Sequence, residues 1–290
     1  SVPLTLAAPS RMTWDGTGLI INWLDLGLGP TGRLQATGRL ALEATRETAT
    51  FDANFKGELS DLVTIGQPFG LPSELQASGT VQVAVKSTGG IDAATGSLQL
   101  TGGTVGWADV PAVQDLMIDA GYESSTLNFT RLTGAWQGGS IEGTASIPRA
   151  LLDNSDRGSA TPGFAKLRVV GLSEQAFAPW VSRTTLARLG AHLSATLDTT
   201  IISASLEGLK GELRLDEGNL IVAGVPVTQV QPSVFTLDSG TLTAQDVVWS
   251  FGGFAGADVT SPANNQLAVP GGGELSISGT ARFAPVEKAA

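Results

Sequence analysis

The sequence predicts an all-β protein: a mostly antiparallel repeat sheet with a few short helices. Three observations predict it. Apolar and polar residues alternate with period two along most of the chain. Glycine pairs and short polar clusters punctuate the alternating segments. The same pattern then returns at a fixed spacing. In a strand, residues i and i+2 share a face, so each alternating segment reads as a half-buried β-strand.

From Arg33, the residues Leu34, Ala36, Gly38, Leu40 and Leu42 fall on one face, and Arg33, Gln35, Thr37 and Arg39 on the other. Val81, Val83 and Val85 alternate with Thr80, Gln82 and Lys86. Leu98 and Leu100 flank Gln99, and Ile141, Ala145 and Ile147 flank Glu142, Thr144 and Ser146. Leu213 and Leu215 flank Arg214. Near the C-terminus Leu275, Ile277, Ala281 and Phe283 alternate with Ser276, Ser278, Thr280 and Arg282. About 16 strands fit at ordinary strand-plus-turn spacing. Gly89-Gly90, Gly102-Gly103, Gly138-Gly139, Asp238-Ser239-Gly240 and Gly271-Gly272-Gly273 are expected to be turns between them. Close spacing favours antiparallel pairing, because parallel crossovers need a dozen or more residues.

Helical signals are few. Ser60-Asp61 is expected to cap one short turn through Ile65, stopped before Pro68. Ser173-Glu174 starts a similar turn, stopped near Pro179. Thr184 to Leu189, ended by Gly190, is the best helix by pattern. Such pieces read as plugs that cover apolar surface.

Residues 96–139 align without a gap on 211–254, with 12 identities in 44 positions. Among them Gly96, Leu98, Leu100, Val110, Pro111, Gln114, Thr126 and Leu127 recur as Gly211, Leu213, Leu215, Val225, Pro226, Gln229, Thr241 and Leu242. A partial copy opens the chain, where Gly18 to Leu42 resembles Thr126 to Ile147. The expected organisation is one continuous repeat array, 1–290, with a partial repeat over 1–50 and repeats over 51–163 and 164–290. The opening at mid-repeat suggests a fragment or a processed chain. Asn154–Gly163 and Ser261–Pro270 are read as surface insertions.

Composition excludes several chemistries. There are 17 basic and 27 acidic residues, a formal charge of −10, so nothing supplies the basic face of a nucleic-acid binder. With no cysteine and one histidine, disulfide, zinc and iron–sulfur frameworks fall away. No cofactor is implied. His192 with nearby serines and acids is a formal triad, but no G-x-S-x-G elbow accompanies it, and the chain is not expected to be an enzyme. Asp216-Glu217 and Asp153 to Asp156 read as solvated turns rather than a metal site. Asn128-Phe129-Thr130 is a glycosylation sequon set inside a strand. The six tryptophans (Trp14, Trp23, Trp107, Trp136, Trp180, Trp249) read as core or rim anchors.

The copies share a longer pattern: Gly96-Ser-Leu-Gln-Leu-Thr-Gly-Gly-Thr-Val, then Val110-Pro111, Thr126-Leu127 to Leu132, Trp136, and Gly138-Gly-Ser-Ile-Glu-Gly-Thr-Ala-Ser-Ile147. This resembles the AsmA-like and TamB-like envelope proteins of Gram-negative bacteria, as do the Leu59-Ser60-Asp61 and Leu172-Ser173-Glu174 turns. The resemblance implies an elongated, curved sheet with a hydrophobic groove, placed in the periplasm and anchored to the inner membrane through a segment absent here. It implies phospholipids as the bound partner, with envelope membrane proteins at the ends of the full-length chain, and phospholipid movement between the inner and outer membranes.

A one-sided apolar sheet must bury that face in a core or leave it as a trough for acyl chains. Periodicity alone favours a core; the resemblance turns the reading to a trough. Its expected lining is Leu34, Leu40, Leu42, Val81, Val83, Val85, Leu98, Leu100, Leu127, Phe129, Ile141, Ile147, Leu213, Leu215, Leu275, Ile277 and Phe283. Two rivals stand beside it: a structural or adhesive β-repeat with a closed core, and a scaffold for outer-membrane protein assembly that pairs client strands at a sheet edge.

Overall fold

The computed structural model describes residues 3–41, 50–67, 71–89, 93–108, 110–152, 161–179, 181–203, 206–222, 224–252 and 273–282. It is mostly antiparallel β-sheet with a few short helices, and 17 strands fall among the described residues. The chain divides into two compact units, one of residues 1–136 with 141–165, the other of residues 137–140 with 166–290.

The first unit is a meander. Its strands are β1 (Leu4–Leu6), β2 (Arg11–Trp14), β3 (Gly18–Leu28), β4 (Gly32–Ala41), β5 (Thr50–Glu58), β6 (Leu75–Ser87), β7 (Ala94–Trp107), β8 (Val110–Glu123), β9 (Thr126–Trp136) and β10 (Gly139–Pro148). From β3 to β9 each strand pairs antiparallel with the next. β1 and β2 both lie on β3, β2 at its start and β1 at its last three residues. Helix α1 (Leu59–Gly66) follows β5, and α2 (Arg149–Leu152) follows β10.

Alternation becomes packing through register. Leu6, Leu26, Leu34, Phe55, Val83, Leu98, Ala120 and Phe129 are successive cross-strand partners, forming one apolar row over eight strands. Gly57, Val81, Leu100, Ile118 and Leu132 form a second row. Leu24, Ala36, Ala53, Val85, Gly96, Tyr122 and Leu127 form a third. Leu59, Leu62 and Ile65 of α1 pack against a buried cluster of Leu28, Phe55, Val81, Leu100 and Leu116. Burying one such side chain is worth about 1.5–3 kcal/mol, so this cluster is the principal core of the unit.

The second unit holds β11 (Gly163–Ser173, from Lys166 onward), β12 (Leu189–Ile201), β13 (Leu209–Val222), β14 (Val225–Gln229), β15 (Ser233–Asp238), β16 (Thr241–Phe251) and β17 (Gly273–Arg282). β12 pairs with β13; β14 and β15 both lie between β13 and β16; β17 pairs with β16. A 3₁₀ turn, Glu174–Phe177, and helix α3 (Arg183–Leu186) precede β12.

The repeat is structural. β7 shifted by 115 residues is β13, end to end; β9 shifted by 115 is β16; β8 becomes β14 and β15, broken at Val230-Gln231-Pro232. The β8–β9 turn uses positive φ at Ser124 and Ser125, and its counterpart does so at Ser239 and Gly240. The first copy reaches further back than Gly18. With a shift of 223, the pairings Leu4–Leu28, Met12–Ile21 and Trp14–Leu19 become Val227–Phe251, Phe235–Ala244 and Leu237–Leu242. The Gly29 N–H donates to the Pro3 carbonyl at 3.0 Å, and the Gly252 N–H to the Pro226 carbonyl at 3.2 Å. β1 and β2 are therefore a third instance of the broken strand.

Four expectations change. Gly102-Gly103 is no hairpin: it lies inside β7, where the register slips between Leu100 and Gly103 and Gly102 takes φ +61°. This is a bulge, for which glycine supplies the left-handed backbone. Asp216-Glu217 is no turn either; both residues lie in β13 at a register slip, where Asp216 accepts from the Thr196 hydroxyl at 2.7 Å and pairs with Arg214 at 3.0 Å. The helix pattern over Thr184 to Leu189 yields only four residues, Arg183–Leu186, capped by the Ser182 hydroxyl. The eight-residue α1 is longer and starts after Glu58, without the side-chain cap expected from Ser60-Asp61. Short helices are marginal in water, and α1 has an apolar side held on the sheet that α3 lacks.

Candidate functional site

The two faces of the first unit differ in chemistry. On one lie the three apolar rows. Of the expected lining, Leu34, Val83, Leu98 and Phe129 come together in the first row, Val81 and Leu100 in the second, and Val85 and Leu127 in the third. Leu34, Val83, Val85, Leu98, Leu127 and Phe129 are half-buried, whereas Val81 and Leu100 are buried in the cluster that α1 packs against. On β10, Ile141 is buried and Ile147 half-buried. Leu40 lies in β4; Leu42 and Phe283 fall outside the described residues.

In the second unit Leu213 faces Leu197 and Phe235, and Leu215 faces Ala195 and Ser233. Both are half-buried. Leu275 and Ile277 lie opposite Trp249 and Val247 on β16, and remain 51% and 47% exposed. Trp249 packs over Gly218, where an added Cβ would meet its ring.

Sequence reading missed the lining members Leu24, Leu26, Phe55, Ile118 and Phe235. Their period-two phase was available as a signal, but cross-strand register, which decides who faces whom, is set by turns and bulges. It also missed Tyr122. The hydroxyl of this only tyrosine is buried without a hydrogen-bond partner, and the residue sits in the third apolar row between Gly96 and Leu127.

The opposite face is polar. Arg33, Lys56, Gln82, Gln99, Asp119 and Arg131 are successive partners across β4 to β9. A cavity of about 650 Å³ opens there, its lining including Arg33, Gln35, Asn54, Lys56, Gln82 and Gln99. At its border the carboxylate of Asp25, 1% exposed, accepts from Arg33 Nε at 2.8 Å and Arg33 Nη2 at 2.5 Å, and from Gln35 at 3.3 Å. The Arg33 hydrogen bonds hold the Asp25 pKa below the ordinary carboxylate value against the opposing effect of burial. Asp15 closes the β2–β3 turn by accepting from the Thr17 and Gly18 N–H groups, and these bonds lower its pKa to about 2.

Other candidates disperse. His192 is an exposed residue of β12 whose ring lies beside Gly171. Among the described residues no group of His, Asp and Glu is arranged to hold a metal ion, and no helix is long and apolar enough to cross a membrane. Trp107, Trp14 and Trp23 are exposed, while Trp136 is half-buried and donates its indole N–H to the Pro111 carbonyl at 2.8 Å. The site is therefore a surface of aligned apolar rows, partly covered by one helix, with the chemistry to take up hydrocarbon. Compared with family models, curated proteins and solved structures, the chain matches none.

Proposed function

We propose that the chain is a segment of a periplasmic lipid conduit, of the AsmA-like and TamB-like kind, that carries phospholipid acyl chains along its apolar sheet face between the inner and outer membranes. One observation carries this reading. The row through Val85 runs across hydrogen-bonded strands with its side chains half-buried throughout, the row through Leu98 is half-buried at Leu26, Leu34, Val83, Leu98 and Phe129 though buried at Phe55 and Ala120, and among the described residues α1 is the only helix packed on the sheet's buried cluster. Seven strand spacings of about 4.8 Å make the first row a strip of about 34 Å. One leaflet's tails occupy about 15 Å, half of a bilayer's hydrocarbon thickness, so a tail fits within one unit. Each methylene moved from water onto such a strip gains about 0.8 kcal/mol. Hydrocarbon needs no directional partner, which agrees with a lining of aliphatic residues.

Photo-crosslinking in cells tests the proposal. A photoreactive residue at Val85, Leu98 or Leu127 is expected to yield phospholipid adducts, and one at Gln99, on the polar face, none. No adduct at any of the three lining positions, or an equal yield at Gln99, refutes it. A closed-core repeat would give that negative result.

A further inference from the structure

We infer that the Tyr122 hydroxyl is a polar anchor on the apolar face, donating a hydrogen bond to the ester carbonyl at the head of a bound acyl chain. The inference rests on the lipid reading above and adds to it where the ester stands. Tyr122 is the only tyrosine in the chain. In the third row its companions Leu24, Ala36, Ala53, Val85, Gly96 and Leu127 carry no polar side chain. The residue is half-buried, yet its hydroxyl oxygen is fully covered and has no hydrogen-bond partner. A buried O–H without an acceptor carries its whole desolvation cost, and buried tyrosine hydroxyls usually find a partner.

The repeat shows that the fold does not require this hydroxyl. With the shift of 115, Leu237 stands in its place, set between Gly211 and Leu242 as Tyr122 is between Gly96 and Leu127. Leu237 is half-buried as well. In the third instance the position is Trp14, opposite Leu19. The hydroxyl is thus an addition of the first full copy, and what it lacks is an acceptor. The row around it holds no charged residue. An anionic phosphate brought there would lie unpaired beside apolar side chains, which is costly. A neutral carbonyl suits the place, and one stands at the start of every ester-linked acyl chain. The position agrees. Tyr122 is the next-to-last residue of β8, just before the turn at Ser124 and Ser125. An ester held here lets the glycerol and headgroup pass over that turn into water, while the tail lies along the rows of Val85 and Leu98. On binding, the ring turns its oxygen from its present cover to the carbonyl and gains the missing hydrogen bond.

Isothermal titration of the intact chain tests the inference with two probes: a short-chain diacyl phosphatidylcholine, and its dialkyl ether analogue, which lacks the carbonyl. The wild type is expected to bind the diacyl lipid about three- to tenfold more tightly than the ether. Tyr122→Phe, and Tyr122→Leu with the residue the second copy uses, should bind both lipids alike, at the level of the ether. The urea midpoint of lipid-free Tyr122→Phe should equal or exceed that of the wild type, because the variant sheds an unpaired hydroxyl. With one tyrosine in the chain, fluorotyrosine gives a single fluorine signal, expected to shift further with the diacyl lipid than with the ether. Equal affinity of the wild type for the two lipids, an ester preference that survives Tyr122→Phe, or equal fluorine shifts overturns the inference and leaves lipid carriage standing. A lowered midpoint in Tyr122→Phe also overturns it, since the hydroxyl would then have a partner within the chain. Binding of neither lipid overturns both.

Discussion

Leu100 and Val85 lie on one apolar face two rows apart, and truncating each asks what covers that face. Leu100 is 4% exposed, seated among Val81, Leu116 and the α1 side chains. Its Cδ2 atom also lies 2.8 Å from where a Cβ on Gly103 would stand, so it packs onto the bulge itself. Leu100→Ala removes three carbons, about 2.4 kcal/mol of transfer free energy at ~0.8 kcal/mol each. The cavity left beneath a pinned helix raises the cost to about 3 kcal/mol, within the range for buried leucines. Val85→Ala removes two carbons from a half-buried site and should cost about 1 kcal/mol or less. Urea unfolding followed by tryptophan fluorescence gives both values, with m unchanged if only the native state is affected. Equal costs at the two positions would refute the claim that α1 closes the row of Leu100 and leaves that of Val85 open. The same geometry separates charge insertions: Leu100→Glu should unfold the unit, while Val85→Glu should leave it folded with a spoiled lining.

Three further outcomes follow from local chemistry. Asp25 has a lowered folded pKa, so its stabilising effect is present above the ordinary value of 3.8 and is lost as pH falls through the folded value; Asp25→Asn should lower the urea midpoint at pH 7, with the gap to wild type closing below about pH 4. Gly79 has φ +116° and faces Gly103, whose Cα would lie 2.6 Å from an added Cβ; Gly79→Ala should cost about 1–3 kcal/mol in thermal unfolding, and wild-type stability would remove the bulge from the account. Trp136→Phe deletes the donor to Pro111 and should cost about 0.5–1.5 kcal/mol by urea titration, with no change expected if that bond is immaterial.

Much of the fold is legible because alternation and repetition are physical. The 115-residue shift that matches Gly96-x-Leu98-x-Leu100 to Gly211-x-Leu213-x-Leu215 also matches β7 to β13 residue for residue. What sequence leaves open is whether a glycine pair turns the chain or bends it. Gly138-Gly139 and Gly102-Gly103 look alike, but only the first reverses direction, since the second has a strand partner on either side to keep it extended. The earliest copy is obscured for a related reason. Val2-Pro3 matches Val110-Pro111 and Val225-Pro226, but β1 and β2 are too short to show alternation, and the shared hydrogen bond at Pro3 reveals them. The lining face follows from parity alone. What covers it does not, because α1 gains its stability from the sheet it lies on rather than from its own caps.

Native mass spectrometry of the gently extracted protein asks whether lipid occupies the apolar face. A population carrying one or more phospholipid masses is expected, lost in Val85→Glu while the bare chain stays folded. A wild-type spectrum of bare protein alone, or lipid retained undiminished by the Val85→Glu variant, would contradict it.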